Sequence, residues 1–557
     1  MACDDAGRMP LPRLPAPFRR LLPAALPRRV LLAMRRDLTV ANLTERLASV
    51  YKDRFAFRLE SKSVLAGKKE LTFEDVDRTV ARLATALARE GLPLGELAAV
   101  VPSNGVDFLL TFLAVVRAGG VAVPVNPILK SEEVRTLTSL ADATTLIGDS
   151  ETFKKSVGAR SKFEGIERWF SIGPHRGAVD LVAKTRRVRD TTPPMPAASD
   201  TVVAVMYTSG TTGRPKGARL TNDGLLSMLS PVALQPTGLP MTVRTAVTAL
   251  PVAHIMGLSS SVALMLGGIT NRSFGHFDAA KVLDVIETEG VDMFVGVPAM
   301  YRAMLDAGAE ERDLTSVKIW ASSADAMPRD LAKTFQKMGR VAGPVPALFF
   351  EAYGMVELAG AAMAKVMPPG PVQMPKGFAG MPVFPYRVKV VDKRGKEVPR
   401  GRVGELAVKG PGVLEGYHKD QGATDKVLQG GWLRTGDLAR IGPLGTVFFE
   451  GRQKDVIKVG GYSVFPVEVE EEIRRHPKVA DAAVMGISDP TKGNVVGAAV
   501  VPKKGSKLTP VEMDRWAKKE LASYRRPKKW LVVKEFPRGS TRKVNKKELA
   551  TKFDGAR

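Results

Sequence analysis

From Leu38 onward the apolar positions of the chain fall into two rhythms. Between Phe73 and Gly91 they stand three and four residues apart behind an acidic first turn, Glu74 and Asp75. The run closes on glycine, which predicts an amphipathic helix. Leu97–Pro102 is a short unbroken apolar run that predicts a buried strand. Val106–Arg117 returns to helical spacing, and Val121–Val125 reads as a second strand. Strand-like runs recur at Ala141–Gly148, Thr201–Tyr207 and Thr245–Leu250. This alternation predicts an α/β fold, a large N-terminal domain of mostly parallel sheets flanked by helices. After about Val383 the rhythm shortens. Tyr386–Val391, Gly404–Val408 and Thr446–Phe449 are β-branched runs between Gly and Pro turns, which predicts a small β-rich subdomain over about 384–450. Past Gly451–Lys454, a helix at Pro466–Arg475, strands at Ala480–Gly486 and Val495–Pro502, and a helix at Pro510–Leu521 predict a small α+β C-terminal domain. The expected units are an Arg-rich, poorly ordered extension over 1–37, a domain over 38–451 and a domain over 452–557.

A length of 557 residues accommodates these units, since a domain takes roughly 100–200 residues. Hydrophobic residues at 44% and charged residues at 25% exclude a disordered chain. Cys3 stands alone, which excludes an intramolecular disulfide, a cysteine zinc site and an iron–sulfur cluster, and fits a reducing, cytoplasmic setting. The five histidines show no ligand spacing. Charge changes the picture more. The chain carries a formal +25, of which residues 451–557 hold 25 basic against 13 acidic side chains, and residues 1–36 hold eight arginines against two aspartates. Such a balance implies an anionic partner: nucleic acid, a membrane surface or a polyphosphate metabolite. The basic runs lack interleaved aromatics apart from Tyr524 and Trp530, so no nucleic-acid partner is expected. The longest apolar candidate for a span, Leu109–Val125, is interrupted by Arg117 and Gly119–Gly120, so no spanning helix is expected. A peripheral membrane contact through the N-terminal stretch stays open, as does a dimeric state.

The candidate chemistry begins at Tyr207–Asn222, YTSGTTGRPKGARLTN, directly after the apolar run VVAVM. Gly210, Gly213 and Gly217 allow close backbone approach to an anion. Thr208, Ser209, Thr211 and Thr212 supply donors, and Lys216 supplies a charge. The spacing is neither a Walker A loop nor a dinucleotide fingerprint.

This loop resembles the phosphate-binding signature of the adenylate-forming superfamily, in its acyl-CoA synthetase branch, and the similarity continues in order over about residues 39–550. GGVAVPVNPILKSEEV (119–134) and PVAHIMG (251–257) resemble family segments, the latter setting His254 beside the substrate carboxylate. EAYGMVE (351–357) resembles Tyr-Gly-x-Thr-Glu, which implies Tyr353 stacked on adenine and Glu357 holding Mg²⁺. WLRTGD (432–437) implies Asp437 on the ribose hydroxyls. GRQKDVIKVGGYSVFPVEVE (451–470) implies a nucleotide role for Arg452 and a hinge at Lys454. PRGSTRKV (537–544) implies Lys543 as the catalytic lysine. The resemblance further implies Thr208, Ser209, Gly210, Thr211, Thr212, Gly213, Lys216, Ala324, Glu351, Ala352 and Gly354 around ATP or AMP. Thr208 and Lys216 would join His254 and Lys543 in catalysis, with Lys458, Gly460 and Gly461 beside CoA. It makes the C-terminal domain a mobile lid that closes over a hydrolysable acyl-adenylate. The implied co-substrates are an acid, ATP with Mg²⁺, and CoA.

Two positions depart from the family pattern: Val356 stands where threonine is usual, and Arg542 where glycine is usual. Neither removes a charged catalytic group. The segment after His254, HIMGLSSSVALMLGG, holds no acid to anchor an amino group, which argues against amino-acid substrates. Its apolar residues from Met256 to Met265 are expected in the core rather than in an acyl pocket, but their place after His254 also makes them candidate tunnel walls. Leu, Met and Val there favour a medium- or long-chain fatty acid. An aryl-CoA ligase, a fatty-acyl-AMP ligase and a catalytically weakened nucleotide- or lipid-binding relative are the alternatives.

Overall fold

The computed structural model describes residues 37–208, 215–227, 242–325, 327–368, 375, 377–459, 462–489, 493–538 and 544–553. The expected N-terminal extension, apart from Asp37, lies outside these residues. The helix read from Phe73 spans Phe73–Arg89 and starts as its sequence dictates. The Thr72 hydroxyl accepts the Asp75 N–H at 3.1 Å, and the Asp75 carboxylate accepts the Thr72 N–H at 3.3 Å. Its stripe of Val76, Val80, Leu83 and Leu87 is buried against the helix Val106–Arg117. Arg117, itself buried, pairs with Asp77 at 2.6 Å.

Two large sheets carry the N-terminal domain. In the first, Val202–Thr208, Val121–Pro124, Leu97–Val100, Thr145–Asp149 and Arg168–Ile172 are parallel neighbours in that order. Val202–Thr208 then folds back antiparallel onto Lys216–Thr221, which the two-residue strand Gly416–Tyr417 edges. In the second, Phe55–Leu59, Thr270–Ser273, Thr245–Thr248, Met293–Gly296, Ile319–Ser322 and Leu348–Met355 are parallel neighbours. Beyond Leu348–Met355 the same sheet turns antiparallel through Gly360–Met367 and Phe378–Pro382 to Val447–Arg452, Trp432–Ile441, Gly404–Lys409 and Arg387–Val391. The β-rich stretch thus extends the central sheet instead of standing beside it. The join bends at Gly380, whose φ is +120° and where a Cβ would lie 2.3 Å from the Ala364 carbonyl oxygen.

One predicted strand is shorter at its start. Ala141 ends the helix Ser131–Ala141, in the buried row Val134, Thr138 and Ala141, and Asp142 closes it at φ +48°. The strand begins only at Thr145. The C-terminal domain has its own sheet, Val479–Asp489, Gly493–Pro502 and Lys529–Val532, and a hairpin of Ile457–Val459 with Tyr462–Val464. Val469 and Ile473 of helix Pro466–Ile473 pack there with Val484, Ala498 and Met513 in a separate core. It meets the large domain at Arg302, whose Nη1 lies 3.3 Å from Asp481 Oδ2. Among the described residues no helix is long and apolar enough to cross a membrane.

Replacing Thr72 by Ala removes the helix cap without touching any site residue. Urea unfolding should show a loss of about 1 kcal/mol, with kcat unchanged.

Candidate active site

Parallel strands gather their carboxyl ends on one edge, where side chains from several strands converge and where ligands of open α/β sheets bind. Here Gly296 is registered beside Ser322, and Ser322 beside Glu351. His254, Ala324 and the run Glu351–Gly354 all follow or end these strands. Ala324 is a non-glycine residue at φ +72°, a strained conformation directly after the strand Ile319–Ser322. Glu351 pairs across the ladder with Lys365 at 2.8 Å. Ala352 sits opposite Ala364. Gly354 allows no side chain, because a Cβ would stand 1.8 Å from the Gly360 carbonyl oxygen.

The hairpin Val202–Thr208/Lys216–Thr221 brackets the glycine loop and sets its two ends opposite each other. Thr208 and Lys216 are cross-strand partners, and Tyr207 faces Gly217, where a Cβ would come within 2.9 Å of the tyrosine ring. Ser209, Gly210, Thr211, Thr212 and Gly213 lie outside the described residues. Glu357, in the turn Val356–Leu358, is buried. Its Oε1 accepts the Tyr417 hydroxyl at 2.9 Å. The Lys216 ammonium lies over the Tyr417 ring, 5.2 Å from its centre. Burial, then the Glu357 carboxylate, push the Tyr417 phenol far above its ordinary pKa, so it stays a donor. Tyr417 therefore links the two groups that the sequence singled out separately. Val356 packs its apolar side chain against the main core.

Glu357 fits a Mg²⁺ ligand. Magnesium needs only one or two protein carboxylates when phosphates and water complete its shell. Among the described residues no group of three His, Cys, Asp or Glu forms a metal cluster, and no cation pairs with Glu357.

Asp437 occupies a second corner. It faces Arg452 across the ladder, and Arg452 Nε lies 3.3 Å from its Oδ1, while Tyr353 donates its hydroxyl to Oδ2 at 2.6 Å. Burial, then the Asp437 charge, hold the Tyr353 phenol protonated. Gly436, at φ +74°, donates its N–H to Glu405 Oε1 at 3.0 Å, and Glu405 also binds Arg434, so the turn before Asp437 is fixed from a neighbouring strand. Lys454 follows in the short helical turn Gln453–Asp455, between the last strand of the large sheet and the hairpin at Ile457. Burial, then Arg452, lower the pKa of its ammonium.

His254 is the N-cap of the helix Ile255–Leu266. The turn before it is tight: a Cβ on Gly257 would lie 2.1 Å from the Pro251 carbonyl oxygen. Asn126, buried, places Nδ2 at 3.1 Å from His254 Nε2, while its Oδ1 accepts the Ile128 N–H at 3.1 Å. With the amide oxygen already engaged, Nδ2 donates, so Nε2 accepts and the neutral ring carries its proton on Nδ1. The apolar residues after His254 are largely core. Leu258, Val262, Met265 and Leu266 are buried in the main cluster, and Met256 and Ser260 remain partly exposed.

Lys543, Arg542, Gly460 and Gly461 lie outside the described residues, and of Lys458 only the backbone is described, paired with Ser463. Three residues escaped the sequence reading: Tyr417, Asn126 and Glu405. Asn126 sat inside a segment already noticed. Tyr417 had a local signal only in its apolar neighbour Leu414 and the adjacent Gly416.

Parallel-strand ends, a glycine hairpin closed by lysine, a buried glutamate, and a separate C-terminal domain together define the adenylate-forming fold. The AMP-binding enzyme family matches residues 44–418, and the AMP-binding enzyme C-terminal domain matches residues 468–543. A feruloyl-CoA synthase from Amycolatopsis sp. is 33% identical over 507 residues, covering 88% of this chain and 96% of the relative. An indoleacetate–CoA ligase from Aromatoleum aromaticum is 29% identical over 485 residues, covering 86% and 93%. The o-succinylbenzoate coenzyme A synthetase MenE from Bacillus subtilis, solved with ATP and magnesium, superposes with a TM-score of 0.76 at 26% identity, covering 91% of this chain and 99% of that one. The chain belongs to the AMP-binding enzyme family, as an AMP-forming acid–CoA ligase whose co-substrates are ATP with Mg²⁺ and coenzyme A.

Asn126→Ala should free the His254 ring and lower kcat/KM for the acid roughly 2–10-fold, the worth of one neutral hydrogen bond, with KM for ATP unchanged. Asn126→Asp puts a carboxylate against Nε2 and favours a proton there. Its kcat/KM for the acid should fall at least as far as that of Asn126→Ala.

Proposed function

We propose that this enzyme activates an aromatic carboxylic acid as its acyl-adenylate and transfers the acyl group to CoA. One structural observation carries the choice of acid. The helix after His254 spends Leu258, Val262, Leu264, Met265 and Leu266 on the protein interior, so most of the apolar wall that favoured an aliphatic chain is not available to line a long tunnel. The names of the relatives, which act on feruloyl, indoleacetate and succinylbenzoate groups, support the aryl alternative over the fatty-acid reading.

The chemistry follows from charge. The acid's carboxylate oxygen attacks the α-phosphorus of ATP, and the bond to the bridging oxygen of pyrophosphate breaks. Two anions must approach, so the site has to neutralise them and hold them in line. In this reading Lys216 and the loop donors Thr208, Ser209, Thr211 and Thr212, with the backbone of Gly210 and Gly213, hold the β- and γ-phosphates. Glu357 would hold Mg²⁺, which withdraws charge from phosphate oxygens when bound. Asp437 takes the ribose hydroxyls and Arg452 the nucleotide beside it, while Tyr353, Ala324, Glu351, Ala352 and Gly354 border the base. His254, neutral and carrying its proton on Nδ1, borders the acid. Lys543 bridges carboxylate and α-phosphate. After rotation about Lys454, Lys458 with Gly460 and Gly461 admits the CoA thiol, which attacks the acyl carbon and expels AMP.

CoA-dependent AMP release across a panel of hydroxycinnamic, benzoic, indoleacetic and C6–C16 fatty acids tests the acid class. An aryl acid should exceed every fatty acid in kcat/KM by about tenfold or more, a difference of about 1.4 kcal/mol. A fatty acid as best substrate restores the aliphatic reading. Lys543→Ala should slow adenylate formation on the order of 10²–10³-fold while leaving thioester formation from synthetic acyl-adenylate nearly intact. Equal slowing of both halves assigns Lys543 to general phosphate binding.

A further inference from the structure

We infer that Tyr417 is a positioning residue that stands between Lys216 and Glu357, keeping the two from closing into an ion pair so that each stays available to Mg–ATP. The inference rests on the proposed reading of those two residues as phosphate and metal ligands.

The segment around Tyr417 is tied to both of their elements. The Leu414 N–H donates to the Glu357 carbonyl at 2.9 Å, and the Glu415 N–H to the Arg219 carbonyl at 3.0 Å. Gly416 and Tyr417 pair with Arg219 and Ala218, and the His418 N–H donates to the Gly217 carbonyl at 2.7 Å. The strand that begins with Lys216 and the turn that carries Glu357 are therefore held together by a five-residue strap. A lysine and a glutamate on elements so joined attract each other. Yet among the described residues Lys216 pairs with no carboxylate, and Glu357 with no cation.

Tyr417 explains the separation. Its ring presents a negative face to the Lys216 ammonium, 5.2 Å from the ring centre, and its hydroxyl presents a proton to Glu357 Oε1 at 2.9 Å. A neutral side chain thus contacts both charges, one over its ring and one at its hydroxyl, while cancelling neither. The residue is buried, and its backbone N–H is fixed on the Thr424 hydroxyl at 2.9 Å, which in turn donates to the Asp420 carbonyl. Phenylalanine would keep the face and the spacing and lose the proton. Leucine would lose both and leave room for Lys216 to reach Glu357.

Calorimetric titration of the full-length wild type, Tyr417→Phe and Tyr417→Leu with Mg–ATP, metal-free ATP and AMP tests this, alongside the Mg²⁺ dependence of AMP release. Tyr417→Leu should raise the Kd for Mg–ATP about tenfold or more, raise the half-saturating Mg²⁺ concentration, and leave the Kd for AMP within about twofold of wild type. Tyr417→Phe should recover most of the Mg–ATP affinity and keep a raised Mg²⁺ requirement, from the lost contact to Glu357. If Tyr417→Leu melts early, the Tyr417→Phe result alone decides. An unchanged Mg²⁺ requirement in Tyr417→Phe overturns the inference. So does parallel loss of Mg–ATP and AMP binding in both variants, which marks Tyr417 as general packing. Wild type that binds no Mg–ATP overturns the reading of the site itself. Wild type that binds it alongside variants that bind equally well overturns only the role of Tyr417.

Discussion

On the proposed reading, a lysine and a glutamate that serve one polyanion must sit on adjoining elements without neutralising each other, and the architecture around the glycine hairpin meets that constraint. Its parts come from three distant stretches of chain. The hairpin strand supplies Lys216, the turn after the central strand Leu348–Met355 supplies Glu357, and residues 414–418 bind the backbone of both. The first large sheet contributes the hairpin and the second contributes the turn, so the strap also couples the two sheets. Anything that shifts the hairpin against the central sheet changes the distance between the two charges. The large buried cores on either side resist such shifts, because close-packed interiors transmit strain rather than absorb it.

The acidic groups along the same edge are already partnered. Glu351 lies against Lys365, Asp437 against Arg452 and Tyr353, and Glu357 against Tyr417. Lys216 pairs with no carboxylate among the described residues and lies over the Tyr417 ring. The three carboxylates and the three cations Lys216, Lys365 and Arg452 balance locally. The positive field along this edge therefore comes from the chain as a whole, whose formal charge is +25. A field of that sign raises the local concentration of polyanions and their encounter rate.

Much of this was legible in the sequence where the signal was local. The helix Phe73–Arg89 announced its cap, its stripe and its end within twenty residues, and Val106–Arg117 matched its periodicity to the residue. The glycine hairpin, Glu357, Asp437 and His254 were found from short motifs. The groups that position them were not, because their contacts are long-range: Tyr417 reaches Glu357 across 60 residues and Asn126 reaches His254 across 128. Periodicity also cannot tell a helix face that lines a ligand from one that lines a core. The run after His254 reads as apolar either way, and only packing assigns Leu258, Val262 and Met265 to the interior. The β-rich stretch was visible as strands, but its continuity with the central sheet depends on the bend at Gly380, which no run of apolar residues encodes.

The Asp437 corner has a consequence for how a nucleotide is told from its look-alikes. Both carboxylate oxygens already hold a partner, Arg452 on one and the Tyr353 hydroxyl on the other. On the proposed reading, a nucleotide enters by exchange: the sugar must offer donors good enough to displace or share those contacts. A vicinal diol brings two hydroxyls to the two oxygens, whereas a deoxy sugar brings one and leaves the swap half compensated. The Tyr353 ring, released from Asp437, could then turn to the base. Sugar identity and base stacking would become a single concerted event, so that discrimination against deoxynucleotides arises from a trade of hydrogen bonds and not from steric exclusion.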